Sequence, residues 1–312
     1  MDLKPTLRPV DRVVILFNAA IALLWLGALG RVAFAPVLLV AQITAAAVPY
    51  LTLKIKPDAS SFGRGIRELY PIVLIVVSWT ELGLIRELFH AEAHDALIAS
   101  LDLAIFGQNL QAIWMPAMPD VWFSETMFAI YFLYYPMVFG TPLIVFFAKR
   151  WTDLRDIVFR LTLAYLACFA IYVVFPVEGP SHSATRYVGD LAQGFFYRLS
   201  TGAVHAGDSL GTAFPSSHVV GVVTMALLAL TWFSRPVAIV YVVLAAGVTV
   251  STVYTQNHFA VDAAAGVVYA LVLWALVPIV AWLLASRNAR APKLQAARAA
   301  TDLEDAVTRG ES

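Results

Sequence analysis

Apolar residues gather into eight long runs separated by short polar segments, at roughly 13–30, 34–53, 69–89, 121–147, 157–176, 214–233, 236–255 and 260–285. Each has the length, about 17–25 residues, that a helix needs to cross the hydrocarbon of a bilayer. Hydrocarbon offers the backbone no hydrogen-bond partner, so open-chain spanning segments must be helical. The pattern predicts an all-α, polytopic transmembrane helical bundle of about eight helices with no internal repeat. Two N-terminal helices and an inner loop fill 1–68, a membrane domain fills 69–286, and a charged, Ala-rich cytoplasmic tail fills 287–312. The first run follows Lys4, Arg8 and Arg12, and Ala33-Phe34-Ala35 has the small residues of a signal cleavage site. Its length favours a retained helix.

Composition agrees with the pattern. Of the 312 residues 60% are apolar and 13% charged, where a soluble domain carries about 25% charged residues. A formal net charge of zero gives no bulk attraction to nucleic acid. The single cysteine, Cys168, excludes an internal disulfide and a multi-cysteine metal site. Its apolar surroundings mark it as a small core residue.

Orientation follows from the loop cations. With the N-terminus in the cytoplasm, the inner segments hold Lys4, Arg8 and Arg12; Lys54, Lys56, Arg64 and Arg67; Lys149, Arg150 and Arg155; Arg235; and Arg287, Arg290, Lys293, Arg298 and Arg309. The outer segments hold Arg31, Arg186 and Arg198. The chain is expected to be a multi-pass protein of the cell (plasma or inner) membrane, with both termini cytoplasmic. Residues 90–120, with Trp114 and Trp122 near the interface, are expected to form short helices on the outer surface, and 177–213 form a second long outer segment.

All six histidines fall on outer segments or outer helix ends: His90, His94, His182, His205, His218 and His258. Histidine tolerates interfaces, but the one-sided placement points to chemistry at the extracytoplasmic face. In Gly211-Thr212-Ala213-Phe214-Pro215-Ser216-Ser217-His218 the sixth run begins. Pro215 is expected in the first turn of that helix. The free N–H groups of Ser216, Ser217 and His218 would then face a phosphate, aided by the helix dipole and by the two serine hydroxyls. An ordinary N-cap explains the proline and serines, but not a histidine entering the bilayer directly afterwards.

In Ser251-Thr252-Val253-Tyr254-Thr255-Gln256-Asn257-His258-Phe259-Ala260-Val261-Asp262, His258 and Asp262 are four residues apart and share a helix face. Asp262 can fix the tautomer of His258 and leave the other ring nitrogen as a nucleophile. A dipole-favoured carboxylate beside a surface histidine is the plainer explanation of that pair alone. Topology adds weight, because the sixth and eighth helices both start at the outer face. His218 would carry the proton for a leaving oxygen.

Together, Pro215-Ser216-Ser217-His218 and Ser251 through His258 to Asp262 resemble the motifs of the type-2 phosphatidic acid phosphatase superfamily, relatives of the vanadium haloperoxidases. The wording of the second motif looks most like the inositol phosphorylceramide synthase branch. The resemblance covers roughly 69–285, including Leu101-Asp102-Leu103-Ala104-Ile105-Phe106-Gly107. It implies a six-helix phosphatase-type core and metal-independent phosphoryl transfer through a phosphohistidine at His258. Asp262 would orient that ring and His218 would be the acid, with no cofactor. Three departures stand out. Thr252 replaces the family's Arg, Ser217 replaces the Gly before the histidine, and the first motif, Lys followed by Arg-Pro, is absent. Phe175-Pro176-Val177-Glu178-Gly179-Pro180 occupies its place. Arg186 is the candidate phosphate clamp and Arg198 the second choice, joined by Ser216, Ser217 and Thr252 as phosphate-binding residues. A loop arginine pairing with lipid headgroups is the plainer alternative for both arginines.

Other groups read as structural. His90 and His94 have zinc-like spacing beside Glu92 and Asp95, but Ala91 stands where a metalloprotease helix needs Glu, and no metal is expected. Glu81, Arg86 and Glu87 read as an interhelical or interfacial charge group. Tyr131, Phe132, Tyr134 and Tyr135 read as packing or an acyl-chain wall.

The resulting expectation is a lipid-phosphate phosphatase or phosphotransferase at the extracytoplasmic face, with lipid-transfer chemistry of the synthase kind as one form. Its partners are a lipid phosphate or phospholipid, a hydroxyl acceptor in the transfer case, and the bilayer. The alternative is a catalytically silent scaffold or a transporter on the same fold. Polar groups at one face and no paired halves argue against transport.

Overall fold

The computed structural model describes residues 6–55, 61–89, 92–183, 187, 189–207 and 209–285. The helices in chain order are α1 (Pro9–Gly27), α2 (Ala35–Thr52), α3 (Ser61–Phe89), α4 (Asp95–Phe106), α5 (Leu110–Ala117), α6 (Val121–Phe132), α7 (Thr141–Phe147), α8 (Trp151–Val174), α9 (Pro180–Ser183), α10 (Phe195–Ala206), α11 (Ser217–Trp232), α12 (Arg235–Tyr254) and α13 (Ala260–Leu283).

 All eight apolar runs are helical. Among the described residues, six helical segments are long and apolar enough to cross a membrane: α1, α2, Val121–Phe147, α8, α12 and α13. The α4–α5 pair, bent by 63°, raises that number to seven if it is one broken span. α11 is apolar but has only 16 residues, and α3 carries Arg67, Glu68, Glu81, Arg86 and Glu87 along its 29 residues.

The chain forms two compact units, Met1–Asp58 with Leu276–Ser312 and Ala59–Ala275. In the first, Pro9 opens α1, where its missing N–H costs nothing. Asp11 accepts the Arg8 backbone N–H at 2.7 Å and pairs with the Arg8 guanidinium at 2.9 Å. α1 packs along α2. The tail at 287–312 lies outside the described residues.

In the second unit, α8 is the central helix: most of its side chains are buried, and α3, α7 and α11 pack against it. α12 lies against α11, α6 and α5. Near the start of α8, Arg155 pairs with Glu68 at 2.9 Å. Arg160 pairs with Asp156 at 2.8 Å and covers the Trp274 ring at 3.9 Å. Arg155 offsets the removal of Glu68 from water, and the Asp156 carboxylate and the Trp274 face do the same for Arg160. Between α6 and α7, Pro136–Gly140 form a π-type turn. Proline has no N–H for the helical ladder, and the hydrogen-bond register slips there.

The far end of α8 is built differently. Carboxylates from one element accept backbone N–H groups of another. Asp95 takes Glu178 and Gly179 at 2.9 and 2.8 Å. Glu125 takes Phe196 and Tyr197 at 2.8 and 3.0 Å, which caps the start of α10. Asp102, fully buried on α4, takes the Val261 N–H at 2.8 Å in the first turn of α13. The first N–H groups of a helix have no partner within it, and a buried start needs such an acceptor. Asp102→Ala is expected to destabilise the protein by about 1–3 kcal/mol, the cost of a buried unsatisfied group. Asp102→Asn, which keeps an acceptor oxygen, should lose less. Thermal unfolding of both variants in detergent checks the order.

Candidate active site

Two chain segments are fixed beside each other before any functional side chain is considered. Val177 and Thr212 form a parallel bridge, with Val177 N–H donating to Gly211 at 3.2 Å and Ala213 N–H donating to Val177 at 2.8 Å. The segment after α8 therefore lies along the loop that leads into α11. Ile98, Val177, Ala213, Phe259 and Val261 form one buried apolar cluster beneath it. Gly179 sits where three segments meet. Its φ is +83°, and a Cβ there would lie 2.9 Å from the Ala213 Cβ and 3.2 Å from the Asn257 carbonyl. Only glycine takes that backbone conformation without strain and leaves that space.

α11 starts at Ser217, later than the apolar run from 214 suggests. Ser216 is its N-cap, and the Ser216 hydroxyl accepts from Val219 N–H at 3.4 Å. Pro215 therefore precedes the helix instead of lying in its first turn. Its carbonyl turns into the bundle, where Tyr172 donates to it at 2.6 Å and the buried Cys168 thiol lies 3.6 Å away. The Ser216 N–H is not free for a ligand: it donates to the Asp262 carbonyl at 3.1 Å. That bond joins the start of α11 to the first turn of α13. Gly266 permits the approach, since a Cβ there would meet the Ser216 carbonyl and Val219 at 2.9 Å.

With the two starts tied together, His218 and His258 face each other with ring centroids 5.7 Å apart at 62°. Thr252 fixes the turn before His258, because its carbonyl accepts from Asn257 N–H and His258 N–H, both at 3.1 Å. His258 Nδ1 lies 3.5 Å from Asp262 Oδ2, longer than a formed hydrogen bond. The same oxygen accepts Phe259 N–H at 2.9 Å. Asp262 is fully buried. His218 is surrounded by tyrosines. Tyr131 OH is 3.0 Å from its Nε2, the Tyr131 ring stacks on it at 5.2 Å, and the Tyr134 ring is 4.3 Å away.

Both histidines line a cavity of about 440 Å³. Its polar lining includes Glu178, Ser181, Ser217 and Asn257, and its apolar lining includes Ile75, Trp79, Tyr134, Phe139 and Phe169. Glu178 is held by Arg86 at 2.7 Å. The charge group expected on α3 thus reaches across to the segment after α8, a partner that sequence spacing does not reveal.

Of the other candidates, Ser217 reaches the cavity. Ser216 caps its own helix, and the Thr252 hydroxyl donates to the Thr249 carbonyl at 2.8 Å, as a threonine inside a helix readily does. Neither lines the cavity. Arg186 and His90 lie outside the described residues, and Arg198 is exposed on α10. His94 stacks on Phe175 at 4.2 Å, and its neighbour Asp95 serves the backbone as described. Sequence reasoning missed Tyr131 as the partner of His218. The available signal was a set of hydroxyls at 131, 134 and 135 in an apolar run, where each needs a partner.

Fold and site together define a helical membrane protein with paired imidazoles at the wall of a largely aromatic cavity. A family model of the PAP2 superfamily matches residues 97–295, and the chain belongs to that superfamily, whose members are generally phosphatases. No curated protein and no solved structure matches the chain.

Gly179→Ala is expected to push the 211–213 and 257–258 segments apart. It should lower whatever turnover the protein has by at least about tenfold, since small misplacements of reacting groups cost that and more. Activity at the wild-type level in a folded Gly179→Ala protein would refute the packing argument.

Proposed function

We propose that the protein transfers the phosphoryl group of a lipid-linked phosphate through a phosphohistidine at His258. The observation that carries this reading is the facing pair of imidazoles at 5.7 Å on the cavity wall, with Asp262 behind one ring. The unprotonated ring nitrogen of His258 attacks phosphorus as the bond from phosphorus to the leaving oxygen breaks. That oxygen takes a proton from His218. Asp262 Oδ2, 3.5 Å from Nδ1, closes on the remaining N–H of His258 as the ring gains positive charge. Water or an alcohol then attacks phosphorus, breaks the phosphorus–nitrogen bond and returns a proton to His218.

The N–H groups of Ser217 and His218 in the first turn of α11 meet the negative charge of the phosphoryl oxygens, and the scheme runs without a metal ion. Ser217 adds a hydroxyl, and Arg186 is the proposed cationic clamp. The aromatic and aliphatic wall takes the lipid tail. The excess of Lys and Arg in alternate loops supports an extracytoplasmic site in a cell membrane. Water as acceptor makes the protein a phosphatase. A second lipid or alcohol as acceptor makes it a transferase, the reading that the likeness of the second motif to the synthase branch favours.

Purified protein in detergent, given phosphatidate, lysophosphatidate or a polyprenyl diphosphate with and without an alcohol, tests the scheme. His258→Ala should lose about 10⁴-fold or more of the turnover and all acid-labile phosphate label, and His218→Ala about 10²–10⁴-fold. Phosphate release without an alcohol identifies the phosphatase, and strict dependence on the alcohol identifies the transferase. Full biological activity of both variants would replace this scheme with the silent-scaffold reading.

A further inference from the structure

We propose that Tyr131 is a positioning residue for His218, set so that the acid keeps one orientation through both halves of the reaction. The inference rests on the phosphohistidine scheme above. Tyr131 comes from α6, which carries none of the motif residues, and is almost fully buried. Its hydroxyl lies 3.0 Å from His218 Nε2, and both residues line the same cavity. The stacked ring at 5.2 Å leaves the imidazole little freedom to tilt. On its other side the Tyr134 ring stands 4.3 Å away. Tyr134 is itself held by a hydroxyl contact of 2.7 Å to Tyr165 on α8. The acid is thus clamped by aromatic rings anchored to two further helices.

A phenol suits this position because its oxygen accepts a hydrogen bond without carrying charge. His218 Nε2–H donates to the Tyr131 oxygen in both protonation states, and the transferable proton is the one on Nδ1, which has no partner among the described residues. As the phosphorus–oxygen bond breaks, the leaving oxygen takes the Nδ1 proton, and the electron pair of that N–H bond stays on nitrogen. When water or an alcohol attacks in the second half, its proton goes to Nδ1. Nε2–H stays on the Tyr131 oxygen throughout, and no proton passes to Tyr131. Phenylalanine would leave Nε2–H without an acceptor and the tautomer unfixed.

The test separates proton delivery from packing by varying the leaving group. Tyr131→Phe is measured on an alkyl lipid phosphate and on a phenolic phosphate of the same tail length. An alkoxide needs the proton as it departs, and a phenolate needs it far less. The expected result is a fall in kcat of about ten- to a hundredfold on the alkyl substrate, about threefold or less on the phenolic one, and a small change in KM. Equal losses on both substrates, or no loss on either, overturn the proposal. If the Phe variant does not fold, 3-fluorotyrosine at 131 keeps the shape and weakens the acceptor, and an unchanged leaving-group dependence there overturns it. Inactive His258→Ala beside an unaffected Tyr131→Phe rejects the tyrosine alone. Fully active His218→Ala and His258→Ala reject the phosphohistidine scheme and this inference with it.

Discussion

A helix that starts within an apolar bundle presents N–H groups where water is scarce, and each needs an acceptor from the protein itself. The end of the bundle that holds the histidines is organised around this requirement. Asp102 meets it for Val261, Asp262 for Phe259, and the Asp262 carbonyl for Ser216. The last of these bonds joins the starts of α11 and α13, and Val219 packs with Ala260 and Ala263 beside it. Their juxtaposition sets the distance between the two imidazoles.

Asp262 links architecture and chemistry most directly. Its carbonyl ties down one helix, one carboxylate oxygen closes the first turn of its own helix, and the same oxygen approaches His258. Its position is therefore fixed by backbone bonds, independently of the imidazole. A carboxylate held this way can orient a histidine without being pulled out of place by it. Glu178 presents a contrast among the cavity residues: its side chain is fixed by Arg86 and its backbone by Asp95.

The helices were legible because apolar run length is a direct consequence of bilayer thickness, and every predicted run is helical. The histidine pair was legible too, because residues 218 and 258 each open a helix on the same side of the chain topology. What escaped were contacts between elements distant in sequence. Tyr131 and His218 are 87 positions apart, and Asp102 and Val261 are 159 apart. No local period encodes such pairs. Serine and threonine hydroxyls suit phosphate by type, and sequence alone does not show which of them are already bonded. A hydroxyl next to a helical carbonyl or a bare helix start has a nearer partner, as Thr252 and Ser216 show.

The π-type turn at Pro136–Gly140 gives the span between Val121 and Phe147 a divided character. One extra residue in a helix swings everything after it by about 100° around the axis. The half before the slip aims Tyr131 and Tyr134 at His218, while the half after it sets Thr141 against the Tyr241 hydroxyl at 2.6 Å. Each half keeps its own phase. Substitutions can accumulate in the second half as it adapts to its neighbours, and the tyrosines of the first half stay trained on the imidazole.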